Sequence, residues 1–339
     1  MAVQSFTYPS PANIKVIAQD FQAHLTLDDD IFDAFPTYES QEMTVLWEQL
    51  DNFFGLQQLR GLDGGENRVA NTGGSTFSYV PPVFGEQMDV KESEVLRQRQ
   101  QGMLGAGIDI SELVMRKTQH LVTRRVQRIR HMLWTLLVTG SFTLKLPTGG
   151  TGFADSYTPQ TFAASVWGTA STATPLGDFR SVGLLSLGHS VSFGSKAKAY
   201  MNPVTLRKLL QNANAADLGG KRVEGGNTVN SINGMNEILL AQDLPSIVKY
   251  ERQYFDDTNT ANWFIPTDYV VIIGNREDAS PVGHFVMTPN VNNPDMAPGF
   301  YHKFTMDMNT VPPKMIVHDG MNGGPAIEFP SSVVIMHTA

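Results

Sequence analysis

Residues Ser111 to Thr139 carry an unbroken helical pattern that constrains the fold of this chain more than any other feature. Apolar residues fall at Val114, Leu121, Val122, Ile129, Met132, Leu133, Leu136 and Leu137, the three-and-four spacing that keeps one face buried. Ser111 is placed to cap the start, and Gly140 can take the left-handed backbone that stops a helix. At 1.5 Å rise per residue the pattern predicts a rod of about 40 Å. Helices of compact domains average about 11–12 residues, so this one is long for such a body. The polar face carries Arg116, Lys117, Arg124, Arg125, Arg128 and Arg130, with Glu112 the only acid. A long basic rod in a chain of net charge −8 reads as a structural beam more than as a catalytic element.

At 339 residues the chain can bury a substantial core and would divide into about two domains. Its charged share, 17%, is low, which suits a protein that hides surface against neighbours. The acidic balance argues against a dedicated free-standing nucleic-acid binder. There is no cysteine, so disulfides, thiolate catalysis and cysteine-ligated metals are excluded. The start, MAVQSFTYPSPANIKVIAQDF, lacks a basic region followed by an apolar one, and no run reaches the length of a membrane span. A cytoplasm-like compartment is the expectation.

Residues 1–35 read as an extended arm: Pro9 and Pro11 disfavour helix, and Asp20, Asp28, Asp29, Asp30 and Asp33 face only Lys15. Phe21, Phe32 and Phe35 would let such an arm lie on another subunit. Residues 40–54 predict an amphipathic helix, with Met43, Leu46, Trp47, Leu50, Phe53 and Phe54 on one face and Gly55 at its end. Residues 56–101 show no helical period, and glycine-rich turns bracket an alternating segment ahead of Pro81 and Pro82. A loosely patterned stretch of this length usually works outside a compact domain. Leu144 to Tyr157 predicts a hairpin. Beyond Pro175 the texture is mixed, with helices at Asp178–Leu187 and from Pro203 through Ala213. Strands are predicted at Ala197–Met201, Ile247–Tyr254, Tyr269–Ile273, His284–Met287, Lys303–Met308, Lys314–His318 and Val333–His337.

Chemistry-bearing motifs are sparse. The histidines form no H-E-x-x-H pattern, and His120 and His131, about 16 Å apart along the helix, cannot share a metal ion. Gly102, Gly105 and Gly107 lack phosphate-loop spacing and read as a hinge before the long helix. No G-x-S-x-G elbow occurs, and Asp256–Asp257 sits in a turn sequence. Met287, Met296, Met306, Met308, Met315, Met321 and Met336 read as gap-filling core. No catalytic, cofactor or metal residue is assigned, and the expectation is a protein that is not an enzyme.

The order of these pieces resembles the tailed-phage major capsid proteins of the Hong Kong 97 fold, and most closely the lambda-type major capsid protein E family. The segment from Phe77-Ser-Tyr79-Val-Pro81-Pro82 to Leu96-Arg97-Gln98-Arg99 is similar to the family's extended loop. Arg124 to Gly140 is similar to its spine helix, and Trp167 to Leu187 to the lead into its axial domain. Tyr200-Met-Asn202-Pro203 and the stretch from Tyr250 to Gly274 complete the likeness.

The resemblance implies an α+β fold with an N-terminal arm and short helix (1–55), an extended β-hairpin loop (56–101) and a peripheral domain with the spine helix (102–174). An axial domain (175–310) and return strands (311–339) complete it. It implies self-assembly through hexamers and pentamers into an icosahedral shell around double-stranded DNA, with no cofactor and no membrane. The implied partners are a portal protein, a decoration protein and packaged DNA held non-specifically. A separate scaffolding protein is also expected, because the spine helix begins by residue 111 and leaves no room for an internal one. The virion capsid is the implied location, with assembly in the host cytoplasm. Phe77, Tyr79, Pro81 and Pro82 become expected loop contacts, and the basic helix face is expected to meet a neighbouring subunit or the shell lumen. Three other readings stand beside this one: an encapsulin-like compartment, a gene-transfer-agent shell and a soluble α/β enzyme with a non-local active site.

Overall fold

The computed structural model describes the chain except residues 1–5, 51–73, 99–107, 146–150, 170–171, 212–230, 257, 308 and 311–312. Its helices are α1 (Pro11–Thr26), α2 (Asp30–Ala34), α3 (Glu92–Gln98), α4 (Ser111–Thr139), α5 (Pro175–Leu184), α6 (Pro203–Gln211) and α7 (Ile232–Ala241). The principal strands begin with β1 (Thr37–Glu39), β2 (Val45–Leu50), β3 (Gly74–Tyr79), β4 (Val83–Asp89), β5 (Gln160–Ala163) and β6 (Lys198–Met201). They continue with β7 (Ser246–Lys249), β8 (Tyr269–Ile273), β9 (Gly283–Met287), β10 (Tyr301–Asp307), β11 (Lys314–Ile327) and β12 (Val333–His337). Two units result: Met1–Val45, Ser78–Arg130 and Phe285–Pro325 form the first, and Leu46–Phe77, His131–His284 and Ala326–Ala339 the second.

In the first unit β11 is the spine of a sheet. β10 and β4 pair with it antiparallel, Thr305 and Asp89 both opposite Ile316. Met88, Phe304, Met306, Met315 and Val317 pack on Ile14 of α1 and on Leu113, Val114 and Leu121 of α4. Phe285–Met287 of β9 pair in parallel with β1.

The second unit holds a mixed sheet in the order β7-β6-β8-β12-β5. Val270, Ile272, Val334 and Met336 of its central strands meet Leu176, Phe179 and Val182 of α5, Leu206 and Leu209 of α6, and Met235 and Leu239 of α7. Fully burying a side chain of this size contributes about 1.5–3 kcal/mol, so this layer is the main stabilising mass of the unit. Asn202 caps α6 by accepting the amide of Thr205 at 2.8 Å, with Pro203 as its first residue.

α4 has the predicted bounds, and Gly140 ends it at φ 72°. A Cβ at Gly140 would stand 2.7 Å from Pro159 Cδ, so glycine answers both a conformation and a contact.

Three expectations need correction. Residues 11–26 are helical, not extended: Pro11 is tolerated in the first turn, where its missing N–H is no loss, and Ser10 accepts the amide of Asn13 at 3.3 Å. Ala18, Phe21 and Leu25 then pack with Phe32 against Val122 and Val126 of α4, which makes the helix worth forming. Within residues 40–54, Val45–Leu50 form a strand, and 51–54 lie outside the described residues. Burial alternates there, Val45 inside and Leu46 outside, so a period of two overrides the helical spacing. Within 56–101, β4 joins the sheet of the first unit and α3 is helical, so part of the stretch read as a loop belongs to the body. β10 ends at Asp307, with Met308 outside the described residues, and β11 runs on past His318 to Ile327. α7 has no counterpart among the predicted elements.

Candidate functional site

The six basic residues of α4 separate into two classes. Arg125 and Arg130 are buried, 5% exposed each, although the sequence placed them on the polar face. Arg125 Nη1 donates to Asp319 Oδ1 at 2.5 Å and its Nη2 to Gln22 Oε1 of α1 at 2.8 Å. The ring of Phe300 lies 4.2 Å from the guanidinium carbon, and His302 Nδ1 stands 2.6 Å from the same Asp319 oxygen. Burial holds Arg125 below its ordinary pKa while Asp319 works in the opposite direction. Arg130 donates from Nε to Asp29 Oδ2 at 2.5 Å and from Nη2 to the carbonyl of Leu25 at 2.6 Å.

The other four are at or near the surface. Arg116 pairs with Glu112 one turn earlier, and Lys117 reaches Glu94 of α3 at 2.9 Å. Arg124 forms a two-pronged bond with Glu86 of β4, at 2.5 and 2.8 Å. That bond holds the Glu86 carboxyl below the usual carboxylate range and raises Arg124. Arg128 is exposed, and with His120 it adds to the positive field at Glu86. Arg116, His120, Arg124 and Arg128 thus form an exposed stripe at four-residue spacing, the geometry of one helix edge.

The expected loop residues are engaged inside the chain. Phe77 stacks on Trp47 with ring centroids 5.6 Å apart. Tyr79 donates its hydroxyl to the carbonyl of Pro325 at 2.8 Å and lies over Gly324. Pro81 is buried, and the carbonyl of Pro82 accepts the amide of Gly323 at 3.2 Å. Gly102, Gly105 and Gly107 lie outside the described residues. Asp256 accepts from Thr258 and Thr260 in a turn.

Asp319, His302 and Gln22 are absent from the sequence-derived site. Nothing local marks them, because the cluster draws on helices and strands remote along the chain. Among the described residues no three His, Asp or Glu side chains are grouped to hold a metal, and no helix is long and apolar enough to cross a membrane.

No curated protein sequence matches the chain. Solved structures do. A phage-related protein from Bordetella bronchiseptica RB50 superposes with a TM-score of 0.58 at 10% identity, covering 96% of this chain and 97% of that one. The capsid protein of Ralstonia phage GP4 gives 0.52 at 12% identity, over 90% of this chain and 86% of the other. At such identities these likenesses establish the fold. The sequence profile described as phage major capsid protein E matches residues 14–291, a span that contains α4, most of α1 and most of both units. This chain therefore belongs to the phage major capsid protein E family, the proteins that build the capsid shell.

Proposed function

We propose that the chain closes into an icosahedral shell, through hexamers and pentamers, around the double-stranded DNA genome of a tailed bacteriophage. The single observation that carries this reading is the family match over residues 14–291, on a fold that superposes with the capsid protein of Ralstonia phage GP4 over 90% of this chain. Its work is assembly, and no side chain is assigned a catalytic step. Partners beyond further copies of the chain are a separate scaffolding protein, a portal protein, a decoration protein and DNA held without sequence preference. The host cytoplasm is the proposed place of assembly. With α1, β4 and α3 counted in the body, the remaining division into extended loop, peripheral domain, axial domain and return strands is part of the same proposal.

The exposed stripe Arg116, Arg124 and Arg128 is proposed to meet acidic groups of a neighbouring subunit. Exposed ion pairs are individually weak, about 0–1 kcal/mol, yet they add up when a shell repeats them in every copy. Arg125 and Arg130 are committed within the chain and are left out of this role. Charge reversal at Arg124 and Arg128 should stop assembly in the absence of DNA. Mutants that build empty shells normally and fail only at genome packaging would move the stripe to the lumen.

Purified particles provide the test of the enclosed cargo. Nuclease-protected double-stranded DNA inside them is the expected result. Particles filled with a protein cargo and free of DNA would replace the genome reading with that of a protein compartment.

A further inference from the structure

Of the methionines read as core, Met287, Met315, Met321 and Met336 are buried, whereas Met296 is 62% exposed. It stands in the segment 289–299, which connects β9 to β10, and shares it with Val291, 83% exposed. Those two side chains are carried on a rigid frame. Asn290, itself buried, donates from its side chain to Asn322 Oδ1 of β11 at 3.0 Å, and Asn322 donates to the carbonyl of Pro289 at 2.8 Å. Asn290 Oδ1 accepts the amide of Asn292 at 2.9 Å, and the Asn293 side chain donates to the carbonyls of Ala297 and Gly299 at 3.0 and 3.3 Å. Pro289 and Pro298 close the base as a bridge. At the tip Asp295 and Met296 both take left-handed backbone, φ 54° and 52°, where side chains are uncommon and the surroundings must hold them.

A hydrogen-bonded frame anchored on the buried Asn290 is a costly way to present two apolar side chains to water. It is sensible if the tip is buried in the working state, because a segment that is already ordered loses little entropy on docking. The segment carries no basic residue and one acid, Asp295, which does not suit a phosphate backbone. Valine and methionine suit an apolar recess, methionine because its unbranched chain adapts to irregular gaps. In a protein that builds a shell from identical subunits, the available recess is on another subunit. We propose that segment 289–299 is an inter-subunit plug, and that Val291 and Met296 insert into an apolar recess of a second copy of this chain.

The inference rests on the shell reading, and one experiment keeps the two apart. The chain has no cysteine, so Val291→Cys supplies a single thiol at an exposed position. Particles of this variant, assembled with scaffolding protein supplied, are treated with N-ethylmaleimide intact and after unfolding in detergent. Protection of the thiol in intact particles, at least tenfold slower labelling than after unfolding, is expected. A benzophenone carried there should crosslink to give a product near twice the chain mass, with both peptides from this sequence. Equal labelling in the two states, or crosslinks confined to the chain's own residues, overturns the plug and leaves the shell reading intact. If neither wild type nor variant forms particles, it is the shell reading that fails. Met296→Asp is the companion variant: its subunit should melt as wild type does while particle yield falls at least tenfold, and undiminished yield contradicts the plug.

Discussion

Arg130 holds Asp29 at 2.5 Å with both side chains out of solvent, 6% and 0% exposed. The pair joins the long helix to the acidic run that follows α1, and Arg125 makes a second, part-buried link to α1 itself through Gln22. The first unit is therefore fastened at its N-terminal end by guanidinium groups that have given up their water. A buried pair adds little over an apolar substitute, but losing one partner leaves a stranded charge.

Arg130→Ala should accordingly destabilise the folded chain by about 3–5 kcal/mol. Arg124→Ala, which breaks an exposed pair with Glu86, should cost at most about 1 kcal/mol. Urea unfolding midpoints followed by far-ultraviolet circular dichroism compare the two directly. Equal shifts would show that Arg130 is not committed as described.

Glu86 gives the pH dependence. Its pKa in the folded chain is held below 4.5, first by the hydrogen bond from Arg124. The contribution is fully present above the unfolded value near 4.5 and is lost as pH falls through the lower folded value. Half-exposure keeps it small, at most about 1 kcal/mol. Stability of Glu86→Gln measured from pH 6 to pH 3 should fall less steeply than that of wild type. A parallel pair of curves counts against the assignment.

Tyr79 and Gly324 should behave as a coupled pair. A Cβ at Gly324 would stand 2.6 Å from the Tyr79 hydroxyl and 3.3 Å from its ring, so Gly324→Ala must displace the side chain. Tyr79→Phe removes the closest atom and the bond to Pro325 together. The double variant Tyr79→Phe/Gly324→Ala should be more stable than the sum of the single losses predicts, a non-additivity expected only of touching residues. Additive losses in a thermal-melt cycle would refute the contact.

Particles should come apart without breaking bonds between subunits. Cysteine is absent, and Lys91 is the sole lysine between Lys15 and Lys117, hence the sole amine of that stretch for a side-chain crosslink. Boiled particles on a denaturing gel should run as one band near the chain mass of 37.3 kDa. A ladder that vanishes in Lys91→Ala would establish covalent joining instead.

Much of the architecture was legible in the sequence because its strongest signals are local. α4 announces itself by apolar spacing and by Gly140, and β8 and β12 by short runs of β-branched residues. The N-terminal helix was hidden by Pro11, whose effect reverses at the first turn of a helix. β2 was hidden by Leu46, an exposed apolar residue that completes a helical face on paper. The split of the basic face was legible only in part. Helical spacing turns Arg125 and Arg130 away from Arg124 and Arg128, but nothing local announces Asp319, the buried partner of Arg125 on a distant strand.

The central claim is self-assembly, and electron microscopy of the purified chain tests it most directly. Negatively stained preparations should contain closed icosahedral shells or tubes of regular subunit lattice, sedimenting far ahead of a single subunit. A chain that remains a stable monomer by sedimentation and microscopy, at every concentration and with scaffolding protein supplied, would contradict it.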